Sequence, residues 1–136
     1  MKSNFPTKKI DINKYKDFIR VAKSFSEGAE LADEFGYYNA AGVLVIHAAI
    51  ALADAITIKT LAKKVTGDSH YDVLALLKNS LSNQTNTKRA LNHFEQLIHH
   101  KNLVSYSGDI YYKKDVDKLF KHYTRFENWA NTILEQ

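Results

Sequence analysis

Histidines and carboxylates at helical spacing are the first places to look for chemistry in this chain. His93, Glu95, His99 and His100 lie within eight residues, and His99 follows Glu95 by four. A carboxylate and an imidazole one helical turn apart can share a metal ion. Di-iron bundles, however, need a Glu-x-x-His pair on each of two helices plus further glutamates. The run Glu95-Gln96-Leu97-Ile98 lacks that spacing, so the expectation is an exposed polar helix face with no metal and no cofactor. His47 and Asp54 are seven residues apart and share nearly one face of a helix. With no third chemical group beside them, they read as a buried polar couple or as part of a face turned to a subunit interface. Glycine-rich phosphate loops and a serine-nucleophile elbow are absent.

The element that must position these residues is the apolar run at 39–58, NAAGVLVIHAAIALADAITI. Between Ala40 and Ala53 only His47 is neither apolar nor glycine. A helix apolar on nearly every face must be covered on nearly every face. Its Ala and Gly surface lets neighbouring backbones come close. The run predicts a central helix over residues 37–65, with Lys59, Lys63 and Lys64 in its later turns and Gly67 as the stop.

The remaining segments predict the wrappers. Tyr15, Phe18, Ile19, Ala22, Phe25, Ala29 and Ala32 recur at three- and four-residue spacing, predicting a helix over residues 14–35 that ends at Gly36. Asp68 or Ser69 is placed to cap a short helix carrying Val73, Leu74, Leu76 and Leu77. Residues 80–87, SLSNQTNT, form a polar loop. A fourth helix starts near Thr87 as N-cap, buries Leu91, Phe94, Leu97 and Ile98, and runs on into residues 101–106. After the turn at Ser107-Gly108-Asp109, a fifth helix spans 113–134 without a recognisable N-cap. No period-two run is long enough for a sheet. The expected fold is all-α, an up-and-down bundle of four to five helices, with residues 1–13 as an N-terminal arm and 14–136 as one domain.

The totals agree. At 136 residues with 45% hydrophobic and 25% charged content, the chain is long enough to bury one core. It has no cysteine, which excludes disulfides and thiolate metal sites and permits the cytoplasm. The N-terminus has no signal-peptide pattern, and the nearly all-apolar stretch from Ala40 to Ala53 is shorter than the ~20 residues that span a bilayer. The expectation is a soluble, cytoplasmic protein without a membrane partner. The net charge of +4 is spread over Lys8-Lys9, Lys63-Lys64, Lys88-Arg89 and Lys113-Lys114, which read as solvated helix surfaces. Most aromatic residues fall in the helical stripes. Tyr37, Tyr38, Tyr106, Tyr111 and Tyr112 are the exceptions, at helix ends, where a ring can stack on a base.

The order of features is informative. Tyr-Tyr-Asn-Ala-Ala-Gly and then His-Ala-Ala-Ile-Ala-Leu-Ala-Asp-Ala, within residues 37–55, precede Gly-Asp-Ser-His at 67–70 and Lys-Asn-Leu-Val-Ser-Tyr at 101–106. With the final amphipathic helix, this combination resembles the HEPN superfamily (higher eukaryotes and prokaryotes nucleotide-binding) from about Tyr15 onward. The resemblance implies a small helical bundle, commonly a homodimer. Many such proteins are metal-independent endoribonucleases, often toxins paired with a nucleotidyltransferase-like antitoxin. Their signature is an Arg, often followed by Asn, and a downstream His with four to six residues between them, with two copies facing across a cleft.

Here Lys101 stands at the Arg position, Asn102 matches, and Tyr106 stands at the His position. Lysine keeps a cation but loses the bidentate fork that fits phosphate. Tyrosine, with a reference pKa of ~10, is a poor proton shuttle at neutral pH. Arg20 and Arg125 have no suitably placed downstream His, and Arg89 precedes His93 by only four. The resemblance thus implies a non-catalytic module with a groove lined by Lys101, Asn102, Tyr106 and His100 that binds a nucleotide, RNA or a protein partner. The alternatives are an endoribonuclease working through Lys101 and Tyr106, and an interaction protein with no ligand of its own.

Overall fold

The apolar run forms a helix of 24 residues, and every other element is packed around it or tied to it. The computed structural model describes residues 6–136, so the first five residues of the expected arm lie outside the described part. In chain order the elements are strand β1 (Thr7–Lys9), a 3-10 turn (Ile12–Lys14), helices α1 (Tyr15–Glu34) and α2 (Tyr38–Leu61), strand β2 (Lys63–Val65), and helices α3 (His70–Ser80), α4 (Thr87–His99), α5 (Lys101–Tyr106) and α6 (Lys113–Leu134). Five helices have eleven residues or more, and α5 has six. The chain is an all-α helical bundle, as its periodicity predicts.

Residues 48–58 of α2 are buried without a break, which is three full turns. No face of the helix is free of a neighbour there. The whole of α2 is long and apolar enough to cross a membrane, yet 83% of its most apolar window is buried inside the bundle. Burial continues past the apolar stretch that ends at Ala53, since Ala55, Ile56, Thr57 and Ile58 are also covered. The Thr57 hydroxyl is accommodated by donating to the Asp54 carbonyl at 3.1 Å. Each fully buried isoleucine, such as Ile46, Ile56 or Ile58, contributes roughly 1.5–3 kcal/mol relative to exposure.

α1 folds back along α2 through a turn at residues 35–37. Gly36 has φ +77°, its N–H donates to the Asp33 carbonyl at 3.0 Å, and the Tyr37 N–H donates to the Ala32 carbonyl at 2.9 Å. That pair of bonds is a Schellman motif, and the expected glycine stop is met. α6 covers a second side of α2, and α3, α4 and α5 complete the enclosure. α4 lies on α6 through a stacked Phe94–Phe126 pair with ring centroids 4.9 Å apart.

Several local expectations are corrected. α2 stops at Leu61, because Ala62 turns left-handed at φ 54°. Lys63 and Lys64 therefore leave the helix and pair as β2, antiparallel to β1, with Thr7 opposite Val65. A two-strand ribbon of three residues each is too short to show a period in the sequence. Thr87 does not cap α4. Its buried hydroxyl donates to the Leu81 and Gln84 carbonyls at 2.9 and 3.0 Å, closing the preceding loop, while Asn86 holds the N-cap position at φ 66°. Lys59 lies in the last turn of α2, as expected, and also serves a second helix end. Its Nζ donates to the carbonyls of Ile133, Leu134 and Gln136 at 3.0, 2.8 and 2.8 Å, satisfying acceptors that the end of α6 leaves without helical partners.

The expected single helix through residue 106 is also divided at His100. The final helix does have an N-terminal device: the Tyr112 N–H donates to the Asp115 carboxylate at 2.8 Å, and the Asp115 N–H to the Tyr112 carbonyl at 3.0 Å. Ser69 occupies the N-cap position of α3, but its side chain makes no capping bond.

Close packing on small residues has a measurable consequence at Gly42. A Cβ there would meet Val104 Cγ2 at 2.9 Å and Leu119 Cδ1 at 3.3 Å. Gly42→Val should therefore destabilise the protein by roughly 1–3 kcal/mol through overpacking against α5 and α6. Denaturant unfolding checks this, and a variant as stable as the parent would show that these helices do not depend on the close approach.

Candidate functional site

The six-residue α5 carries the Lys-Asn-x-x-x-Tyr stretch, and α2 holds it in place. The side chain of Asn39, in the first turn of α2, makes three hydrogen bonds to the backbone around α5. Its Nδ2 donates to the carbonyls of Val104 and Asp109 at 3.0 and 2.8 Å, and its Oδ1 accepts from the Tyr111 N–H at 2.8 Å. One side-chain amide thus anchors both α5 and the turn that follows. Gly108 turns left-handed there at φ 81°. The Ser107 hydroxyl closes the turn, donating to the Leu103 carbonyl at 2.6 Å and accepting from the Asp109 N–H at 3.2 Å.

The expected groove residues are not all brought to one face. Asn102 and Tyr106 are four apart on α5 and share an exposed side. Tyr106 is 82% exposed. Lys101 is half-buried and turned towards α2 and the start of α3, close enough for its charge to lower the pKa of both His47 and His70. Burial is the larger cause in each case, so both imidazoles are held neutral at pH 7. His100 bridges α4 and α5, and its Nδ1 is 2.6 Å from the Tyr111 hydroxyl. Burial, then the neighbouring His99, lowers the His100 pKa against the opposing pull of Asp115. Burial, aided by Asp109 and Asp115, raises that of Tyr111. Both shifts favour a tyrosine O–H donating to a neutral imidazole, whose own proton is then on Nε2.

The His-rich cluster of α4 is dispersed. His93 Nδ1 lies 2.9 Å from His122 Nδ1 on α6. His99 Nδ1 lies 3.3 Å from the Tyr71 hydroxyl on α3, and His100 faces Tyr111. Among the described residues no group of three or more His, Cys, Asp or Glu side chains is arranged to hold a metal ion.

His47 and Asp54 do come together, as their spacing predicts. Both line a cavity of about 280 Å³ between α1 and α2, with Phe18, Val21, Phe25 and Ile50 forming most of its wall. The His47 ring sits against Phe25, centroids 5.8 Å apart. Asp54 is 7% exposed, and its carboxylate is 3.8 Å from Lys64 Nζ on β2. Burial outweighs that ammonium and pushes the carboxyl up to about 6. His70 and the clamp at Asn39 were not singled out as site residues by spacing, because their partners belong to other elements. No protein-family model, curated protein or solved structure matches the chain.

Asp54 ties stability to pH. Its folded carboxyl holds a proton more tightly than the ordinary group at 3.8, so its ionisation opposes folding. That penalty is absent below pH ~4, grows between pH ~4 and ~6, and is complete above, at about 3 kcal/mol. Asp54→Asn should thus stabilise the protein at pH 7.5 by on the order of 1–3 kcal/mol and give little gain at pH 4. Unfolding curves at the two pH values decide it; a gain of equal size at both would contradict the assignment.

Proposed function

We propose that this chain is a non-catalytic HEPN-like module. It pairs with a second copy through the end of the bundle that carries α5, and the paired α5 faces bind single-stranded RNA or a nucleotide. The observation that carries the reading is a cluster of large exposed side chains at that end. Phe35 is 67% exposed, Tyr37 65%, Tyr106 82%, Ile110 68% and Tyr112 60%. The Asn39 bonds join the start of α2 to the turn after α5, and Lys113 at the start of α6 reaches Asp33 on α1 at 2.9 Å. These contacts gather the exposed residues on one surface. Monomers rarely leave contiguous apolar surface of this kind uncovered. Aromatic residues are also the type enriched in interfaces.

The chemistry of α5 supports binding over cleavage. Tyr106 has an exposed ring on which a base can stack, and Asn102 on the same exposed side offers an amide for hydrogen bonds to it. The second reading is an endoribonuclease working through Lys101 as the cation and Tyr106 as the proton-transfer group. A nucleotidyltransferase-like protein remains a partner this surface would suit if it does not pair with itself.

Sedimentation of the purified chain tests the first reading. The parent should sediment as a dimer and Tyr106→Ser/Ile110→Ser as a monomer of unchanged helicity. The variant should also lose RNA binding measured by fluorescence anisotropy. A parent that stays monomeric at high concentration would sink the pairing, and RNA cleavage abolished by Lys101→Ala would replace this reading with the second.

A further inference from the structure

A cleft of about 790 Å³ opens between α4 and α6, beside the N-terminal half of α4 and the C-terminal half of α6. Arg89 and His93 face it from α4, and Arg125, Asn128, Trp129 and Thr132 from α6. Each set has the three- or four-residue spacing of one helix face. No Asp or Glu lines the cleft. Among the described residues neither arginine takes part in an ion pair. Both guanidiniums are close enough to His93 for their charge to lower its pKa, after burial as the larger cause. His93 in turn is hydrogen-bonded to His122.

A second, independent feature lies in the same wall. Trp129 is 6% exposed, and its indole N–H is buried without an acceptor among the described residues. Native structures rarely leave a buried donor unpaired. The two exposed guanidiniums share one cleft that no Asp or Glu lines. The indole nitrogen is itself closed off from the cleft, so a ligand meets the two guanidiniums and not that donor; an anion rich in oxygen acceptors answers the unpaired cations.

We propose that this cleft binds the phosphate monoester of a small polar molecule, with Arg89 and Arg125 gripping the phosphate. Guanidinium forks match phosphate oxygens two at a time. Two such cations with an ionisable imidazole suit a group whose second proton leaves near pH 6. Asn128 and Thr132 offer hydrogen bonds to hydroxyl groups on the rest of the ligand. The indole in the wall is buried, and the His93 imidazole is held against His122, so the cleft provides no broad platform for stacking a base. That favours a phosphorylated polyol or sugar over a nucleic acid. The volume lies within the range of small-molecule sites.

Trp129 is the only tryptophan, so its indole N–H gives a single, assigned resonance in the wall of the site. Titration with ribose 5-phosphate, followed by ¹H–¹⁵N spectra at constant ionic strength, should move that resonance saturably. Inorganic phosphate should move it more weakly, and ribose not at all. Arg89→Gln and Arg125→Gln, both at exposed positions, should each weaken the effect about tenfold or more. The proposal is overturned if ribose 5-phosphate produces no saturable shift up to about 10 mM. It is equally overturned if both arginine variants respond like the parent, or if only single-stranded RNA moves the resonance.

Discussion

The whole structure follows from one constraint: a helix with almost no polar surface has to be enclosed on all sides. α2 satisfies it with small residues, so that α1, α5 and α6 come close enough to exclude water from the unbroken stretch at 48–58. Alanine and glycine contribute little area each. The larger gain comes from the neighbours' own stripes, where Phe94, Phe126, Leu91, Leu97 and Leu119 are fully enclosed. An amphipathic helix can hide its stripe against such a partner and keep its other face in water.

The few polar residues of α2 acquire their roles from this enclosure. At one end Asn39 gives its amide to the backbone of α5 and the following turn; at the other Lys59 gives its ammonium to the last carbonyls of α6. In the middle, His47 and Asp54 face the cavity beside α1. Central scaffold and surface platform are thereby mechanically connected. Moving the N-terminal turn of α2 would move α5, with its exposed Tyr106 and Asn102.

Much of the fold is legible in the sequence because burial imposes a period. The three- and four-residue spacing of Phe18, Ala22, Phe25 and Ala29 and the unbroken run in α2 can each come from only one kind of element. Gly36 is equally plain, since a left-handed turn after a helix favours glycine. Ala62 hides the end of α2 because alanine carries no such signature, and the next glycine is five residues further on. Three-residue strands leave no pattern at all. The site was less legible for a different reason. The bonds of Asn39 reach 65, 70 and 72 residues along the chain, and His93 meets His122 across 29. Such juxtapositions exist only once the helices are packed.

The central claim is that α2 positions the α5 platform through Asn39, and native-state hydrogen exchange of Asn39→Ala tests it most directly. The account predicts faster exchange at amides 101–112, with α2, α4 and the body of α6 keeping their protection relative to global stability. Uniform loss of protection throughout the bundle, or no change at residues 101–112, would contradict it.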